Sequence, residues 1–441
     1  RFDRVARRRS LDQTRRARLL RLGLRAAMLL QILLGAAIII LALQGMILRE
    51  LLPFGVALLI SYPIIWAHLV VVPLLAAKYL VVRPKQQKAV AASERLFAEH
   101  PAATVAIAGS YGKTTMKELL ATVLSEGKKV AATPANKNVA VSHAAFARSL
   151  EGDEDILIIE YGEGAPGDVA AFTRTTHPTH AVITGLAPAH LDQYKTLERA
   201  AEDIFSVTKA VPVERVYVAG DVATTKPYIR PGFMTYTQRG IGGWKVSNVE
   251  VGLQATAFDL SDRKTTLHLR SGLLGRHQVG PLSAAAVLAL ELGLTPQQVE
   301  AGIAKTTAFE HRMKAYKLDG AWIIDDTYNG NLEGIRAGTA LLAEVPAARK
   351  WYVTPGLVDQ GANTANIHKE VGEAIAAACP DIVVLMQNSV TRHIRAGLDA
   401  VGYEGEVRIE TDPLAFYTNL NQFVASGDVV LMQNDWTDNY A

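Results

Sequence analysis

Two apolar runs dominate the first fifth of the chain: no charged side chain occurs from Ala26 to Leu48, and none from Leu51 to Ala77. Each run exceeds the ~20 residues that an α-helix needs to cross a bilayer. Only Arg49 and Glu50 lie between them as charged residues, so the pair predicts a tight transmembrane hairpin whose ends return to one side. A buried helical pair in a soluble domain is the alternative, but core helices seldom run this far without a charge. Pro53, Pro63 and Pro73 are tolerated in membrane helices, where they kink a span or mark its interfacial end. Two segments without a small-residue cleavage pattern do not fit a signal peptide.

Beyond residue 90 the pattern changes. "SERLFAEH" (93–100) predicts a short amphipathic helix leading into a strand at 104–108. Strand and helix candidates then alternate through "KKVAAT", "HAAFARSL", "DILIIE", "DVAAFTR" and "HAVITG", which predicts a parallel sheet with crossover helices. Residues 213–274 carry shorter alternating stretches such as "TTLHLR" and predict a small antiparallel insert; "PLSAAAVLALELG" returns to a helix. A second α/β unit begins after His311-Arg312, with strands at "AWIIDD", "KWYVT", "DIVVLMQN" and "DVVLMQN". The expected fold is therefore α/β in three parts. Residues 1–90 form a basic N-terminus and transmembrane hairpin, 91–306 a central domain with a parallel sheet and small β insert, and 307–441 a C-terminal Rossmann-like α/β domain.

Charge orients the hairpin. Ten arginines lie in residues 1–25, and Arg83, Lys85 and Lys88 follow the second run, so the positive-inside rule puts both ends, and the domains beyond, in the cytoplasm. Residues 1–88 hold fifteen Lys and Arg against three acids, a balance of +12 out of +3 for the chain, which leaves −9 for the other 353 residues. The basicity belongs to the anchor: it predicts contact of residues 26–82 and their flanks with membrane lipid, and speaks against a nucleic-acid partner, with a basic RNA-binding tail over residues 1–21 as the alternative. A single cysteine, Cys379, excludes internal disulfides and a cysteine-based metal ribbon.

The candidate chemistry starts at "VAIAGSYGKTTMKELL", 105–120, where a strand gives way to Gly109-Ser110-Tyr111-Gly112-Lys113-Thr114-Thr115 and then a helix. This is the order of a phosphate-binding loop: backbone N–H groups cradle phosphate oxygens, Lys113 reaches the γ-phosphate, and Thr114 offers a hydroxyl to Mg²⁺. Glu160 ends the apolar strand "DILIIE", at the edge where ligands of parallel sheets bind, and is a candidate Mg²⁺ ligand and catalytic group. His190, in "TGLAPAHLDQY", follows the next strand and is a candidate for a second metal. These residues imply ATP and Mg²⁺, but leave open whether the phosphate goes to water or to a carboxylate.

Six stretches in order, "GSYGKTTMKELL", "TPANKN", "IIEYGEGAPGDV", "ITGLAPAHLDQYKTLE", "GRHQVGPLSAAAVLAL" and "IIDDTYNGNLEGIRAG", resemble the Mur ligase family, and the likeness extends closely over residues 102 to about 375 and more loosely over the last 65. The resemblance implies an ATP-dependent carboxylate–amine ligase that works through an acyl phosphate and adds an amino acid or dipeptide to a carboxylate-bearing cell-wall precursor. It implies that Lys113, Glu160 and His190 are catalytic, that Thr114 and Glu160 hold one Mg²⁺ and His190 another, and that Asn136 and Asn138 lie near the carboxylate substrate. It further implies that His277 and Gln278 sit by the adenine, that Asp326, Tyr328 and Asn329 reach the nucleotide, and that Arg312 marks the hinge.

Departures from the family pattern accompany these expectations. Ile204 stands where relatives carry a metal-bridging carbamylated lysine, and Lys209 is the nearest lysine after it. Asn331-Leu332 replaces Asn-Pro in the nucleotide loop, and "LMQNDWTDNY" replaces a basic C-terminal segment. A membrane hairpin stands where relatives that use UDP-linked sugars hold the nucleotide, so a lipid-linked acceptor is expected. Competing readings are a poly-γ-glutamate synthase-like ligase, a membrane-tethered P-loop ATPase and a degenerate ligase serving as a scaffold.

Overall fold

The computed structural model describes residues 14–134, 137–187, 191–328, 330–358 and 360–434. The chain divides into two compact units between Ala89 and Val90. In the first, helices α1 (Arg15–Leu43), α2 (Leu52–Leu69) and α3 (Val71–Ala77) follow the two charge-free runs. Thr14 caps α1 by accepting a hydrogen bond from the backbone of Ala17 at 3.2 Å.

Glycines set the contact between α1 and α2. A Cβ added to Gly35 would lie 3.0 Å from the carbonyl oxygen of Gly55, and one added to Gly55 would lie 2.8 Å from Ile39 Cγ1. Small residues at this crossing let the two backbones approach, as in membrane helix pairs. Gln31 adds a polar clamp: its Nε2 donates to Leu58 O at 3.0 Å and its Oε1 accepts from Trp66 Nε1 at 2.7 Å. Both helical stretches are long and apolar enough to span a bilayer, and only 11% and 0% of their apolar windows are buried. Most of their apolar surface is thus left exposed.

Helix α4 (Arg83–Glu99) contains the division between units and absorbs the expected short helix at 93–100. The second unit continues with β1 (Ala103–Ala108), α5 (Lys113–Leu124), β2 (Val130–Ala132), α6 (Ala140–Ala147), β3 (Ile156–Glu160), α7 (Asp168–Thr176) and β4 (His180–Ile183). It then runs through α8 (Leu191–Tyr194), α9 (Leu197–Ile204), β5 (Val216–Ala219), β6 (Met234–Thr237), β7 (Gly240–Ile241), β8 (Trp244–Val251), β9 (Thr256–Ser261), β10 (Thr266–Ser271), α10 (Val279–Glu291) and α11 (Pro296–Ala304).

All ten strands share one sheet, ordered β10-β9-β8-β7-β6-β5-β4-β1-β3-β2. The expected antiparallel insert over 213–274 needs correction: β5 and β6 pair parallel and extend the main sheet, and only β7 to β10 turn antiparallel. The physical reason lies in burial. Every residue of β5, "VYVA", is buried, as a strand covered on both faces requires, whereas β10 alternates exposed and buried. On one face α5, α10 and α11 cover the sheet around Met116, Leu120, Leu282 and Ile303; on the other, α6, α7 and α9 cover it around Phe146, Phe172 and Ile204. Each fully buried aliphatic of this kind contributes about 1.5–3 kcal/mol. A capping box at Thr295 and Gln298, with Pro296 at the first helical position, starts α11.

A second sheet, ordered β11-β12-β16-β13-β14-β15, is built from β11 (Lys314–Leu318), β12 (Ala321–Asp326), β13 (Lys350–Thr354), β14 (Ile382–Met386), β15 (Glu406–Glu410) and β16 (Val429–Gln433). It is parallel except for the β11–β12 pair. Helices α12 (Leu332–Glu344), α13 (Thr364–Ala377), α14 (Thr391–Ala400) and α15 (Pro413–Thr418) complete it. Each strand expected in this half is present.

The close crossing of α13 and α14 at Gly372 and Gly397 supplies a test of packing. A Cβ on Gly372 would lie 2.1 Å from Ile394 O and 2.8 Å from Leu398 N. Because both neighbours are backbone, Gly372→Ala is expected to destabilise this half by about 1–3 kcal/mol. An unchanged midpoint in chemical denaturation would show that the crossing is looser than described.

Candidate active site

The phosphate loop is shaped by what it must pass. Strand β1 ends at Ala108 in the middle of the sheet, between β3 and β4, where the strand order reverses and ligands of open α/β sheets bind. Gly109 (φ +145°) turns the chain so closely over the end of β4 that a Cβ would lie 2.3 Å from Thr184 Oγ1. Gly112 (φ +77°) then sets the left-handed turn from which α5 starts. Ser110 N donates to Gly185 O at 2.8 Å and Thr184 N to Ala108 O at 2.9 Å, tying the loop to β4. Tyr111 seats its ring against Gly185, where a Cβ would lie 2.5 Å from its Cζ. Burial pushes its hydroxyl pKa up, and the charge of Glu333 at the start of α12 adds to the shift.

Lys113, the first residue of α5, is buried. Its Nζ donates to Gly109 O at 2.5 Å and to Glu163 Oε2 at 2.7 Å, so the ammonium is folded onto the loop that a phosphate would occupy. Glu160 stands opposite Ile107 in the β1–β3 register and is 2% exposed. Thr114 Oγ1 donates to Glu160 Oε1 at 3.1 Å, and Asn138 Nδ2 approaches the same oxygen at 3.5 Å. The main chain of Glu160 is fixed as well: His143 Nε2 donates to its carbonyl oxygen at 2.9 Å and its N–H donates to Thr133 Oγ1 at 3.0 Å. Burial lowers the His143 pKa to about 4, so the imidazole is neutral near pH 7. Thr115 follows on the half-buried start of α5.

The donor set fits Mg²⁺. A hydroxyl and a carboxylate oxygen 3.1 Å apart, beside a loop whose amides and lysine suit phosphate, are the hard oxygen ligands by which Mg²⁺ binds together with substrate phosphates. Glu160 Oε2, on the other side of the carboxylate, is buried without a hydrogen-bond partner, 3.3 Å from Lys117 Nζ. No cluster of three metal-ligating His, Cys, Asp or Glu side chains occurs among the described residues. His190 and Asn136 lie outside the described residues. Ile204 is fully buried in the apolar core and has no amine to carbamylate, and Lys209 is exposed.

The remaining expected residues form two further groups. His277 and Gln278 lie on the turn after β10, where Gln278 Nε2 donates to His277 Nε2 at 2.9 Å. Burial lowers the His277 pKa to about 4, leaving a neutral ring. Arg276 on this turn pairs with Glu344 at the end of α12 at 2.6 Å. In the second sheet, Asp326 ends β12: its Oδ2 accepts from Gln433 Nε2 at 2.7 Å and its Oδ1 from Met313 N at 3.2 Å. Arg312 lies over the Tyr328 ring, 4.7 Å from its centroid. Asn329 is outside the described residues. Thus Lys113, Thr114, Glu160 and Asn138 come together, Arg312, Asp326 and Tyr328 cluster near the end of β12, and no hydrogen bond among the described residues joins the three groups.

The departures also find places. Asn331 caps α12 by accepting from Gly334 N at 2.9 Å, and Leu332 is the first helical residue, a position where proline is equally at home. Gln433 and Asn434 of "LMQN" are buried rather than presented to solvent. Three partners escaped the sequence reading: Glu163, Lys117 and His143. Lys117 carries a legible signal, standing four residues after Lys113 on one helix, whereas Glu163 reads as a loop acid and His143 as an ordinary helix residue. Two open clefts of about 460 and 410 Å³ are lined by other residues, among them Arg270 and Trp322 in the first and Arg174 and His177 in the second.

Comparison with known proteins places these residues in context. Residues 107–289 match the model of the Mur ligase middle domain, and residues 311–433 that of the Mur ligase glutamate ligase domain. The UDP-N-acetylmuramoyl-tripeptide–D-alanyl-D-alanine ligase of Escherichia coli K12 is 28% identical over 345 residues, covering 75% of this chain and 73% of its own. The ligase of the same name from Mycobacterium leprae is 28% identical over 368 residues, covering 75% and 70%. Among solved structures, the MurF ligase of Thermotoga maritima in complex with ADP aligns with a TM-score of 0.69 at 22% identity, covering 79% of this chain and 80% of that one, a likeness of fold.

Asp326 supplies a pH test. Burial raises its pKa from 3.8 to about 6, outweighing the lowering effects of Gln433, Met313 N and Arg312. The folded state therefore favours the neutral acid, and the stability this contributes is complete below the unfolded pKa and lost as pH rises through about 6. Asp326→Asn, with one acceptor fewer, is expected to be more stable than the parent by about 1–2 kcal/mol at pH 7.5 and no more stable at pH 4.5. Denaturation midpoints at the two pH values check this; parallel curves would contradict it.

Proposed function

Because the chain belongs to the Mur ligase family, whose members are ATP-dependent ligases that form amide bonds, we propose that it joins an amino acid or dipeptide amine to a carboxylate-bearing muramoyl-peptide precursor at the cytoplasmic membrane face. The observation that carries this reading is the convergence of Lys113, Thr114 and Glu160 on the loop between β1 and α5. The D-alanyl-D-alanine named for the curated relatives is the first amine to consider, and their UDP-linked tripeptide the first acceptor.

In this mechanism the loop amides and Lys113 Nζ hold the γ-phosphate, and Lys113 exchanges its bond to Gly109 O for a phosphate oxygen. The acceptor carboxylate, positioned near Asn136 and Asn138, attacks phosphorus; the bond to ADP breaks and an acyl phosphate forms. The amine then attacks the acyl carbon, the amide forms, and inorganic phosphate leaves. Thr114 Oγ1 and Glu160 Oε1 would hold Mg²⁺, which supplies charge neutralisation at the transferring phosphoryl group, and His190 would serve a second ion. Neutral His277 and Gln278 would face the adenine, and Arg312, Asp326, Tyr328 and Asn329 the nucleotide from the second sheet.

The hairpin gives the reading its particular form. Its apolar surface is left exposed, its flanks are basic, and it lies outside the residues matched by either family model. Inserted in a bilayer, it confines the enzyme to the layer in which a lipid-linked acceptor would diffuse, raising the effective concentration of both. A membrane ATPase would need none of these substrates.

The test is phosphate release by the full-length protein in vesicles with Mg-ATP. Release is expected to require an amine and a carboxylate acceptor together, to show a lower KM for a lipid-linked than a UDP-linked acceptor, and to fall about 10²–10³-fold in Lys113→Ala. Release with neither substrate would sink the ligase reading; equal KM values for the two acceptors would remove the lipid-linked one.

A further inference from the structure

Lys117 is one turn beyond Lys113 on α5, on the same helix face. Its side chain is 0% exposed, and its Nζ lies 3.3 Å from Glu160 Oε2 and 3.3 Å from Glu118 Oε1. These are ion-pair distances, but neither contact has hydrogen-bond geometry, so Nζ and Glu160 Oε2 are both buried without a hydrogen-bond partner. A buried ammonium held this way is costly. By contrast, Lys113 makes a well-formed 2.7 Å hydrogen bond to Glu163. A lysine retained only to stabilise the fold would be served better by such a bond.

The arrangement divides the Glu160 carboxylate. Oε2 faces Lys117, and Oε1 faces Thr114 and Asn138 at the phosphate loop. For both oxygens to chelate one cation, Oε2 would have to leave Lys117 with only Glu118, whose side chain is 34% exposed. Resting on the reading of Glu160 as a metal ligand, we propose that Lys117 is a positioning residue: by engaging Oε2 it restricts Glu160 to one-oxygen ligation through Oε1 and so favours Mg²⁺ over larger cations. Mg²⁺ demands near-octahedral geometry with compact single-oxygen ligands, whereas Ca²⁺ accepts two-oxygen carboxylates and higher coordination.

The test is calorimetric binding of ADP to the full-length protein in detergent, with Mg²⁺ or with Ca²⁺. In Lys117→Met the ratio of ADP Kd with Ca²⁺ to that with Mg²⁺ is expected to fall at least tenfold from the parent value, because Glu160 becomes free to chelate with both oxygens. Glu160→Gln separates the two claims. If it abolishes the metal dependence of ADP binding while Lys117→Met leaves the ratio unchanged, the role of Lys117 is overturned and that of Glu160 stands. If metal dependence survives in Glu160→Gln, the ligand reading fails and this inference with it. Should Lys117→Met not fold, infrared difference spectra of the parent protein on adding Mg²⁺ with ADP decide: carboxylate bands absent from Glu160→Gln should show the wide splitting of one-oxygen ligation, and a narrow two-oxygen splitting would overturn the proposal.

Discussion

Two lysines one turn apart on α5 face two carboxylates at and just beyond the end of β3, and the site depends on this pairing. Lys113 with Glu163 and Lys117 with Glu160 bring four charges into a region that is almost wholly buried. Each charge is tolerable only because its opposite is near, since removing one partner leaves an uncompensated buried ion. The pairing also makes the first residue of a helix, the end of a strand and a glycine loop mutually dependent. Gly109 can pass within reach of Thr184 only because it lacks a side chain, and that passage directs Lys113 back over the loop. A phosphate entering here offers Lys113 a stronger partner than a backbone carbonyl, so the resting arrangement is poised for exchange.

Much of this was legible from residue order. The strand, loop and helix around Gly109 to Thr114 follow from an apolar run broken by glycines, and Glu160 was marked by ending a run of four aliphatic residues. Strands β12 and β13 have the bounds their apolar runs predict. Less legible was whatever depends on distant partners. The antiparallel part is smaller than expected and continues the main sheet, because β5 and β6 join a parallel edge that local periodicity does not reveal. Glu163 reads as a loop acid until the fold brings it to Lys113, 50 residues earlier. Gln433 and Asn434, which open the segment that replaces a basic one, are drawn inward by Asp326, Tyr352 and Thr354.

The two units pose different physical problems. The Val90–Ala441 unit satisfies its apolar surface internally through two sheets covered by helices. The hairpin does so chiefly along the crossing where Gly35 meets Gly55 and leaves many of its large apolar side chains, such as Leu30, Leu33, Phe54 and Ile60, exposed. A bilayer is the environment that such a surface, flanked by arginines, matches best.

The central claim is that the γ-phosphate is passed to a carboxylate and not to water. The most direct measurement uses an acceptor whose carboxylate carries ¹⁸O, turned over once with Mg-ATP and the amine, with the released inorganic phosphate analysed by mass spectrometry. Transfer through an acyl phosphate predicts one ¹⁸O from the carboxylate in each phosphate released. Phosphate free of the label, in ¹⁶O water, would mean that water attacks the nucleotide and would contradict the account.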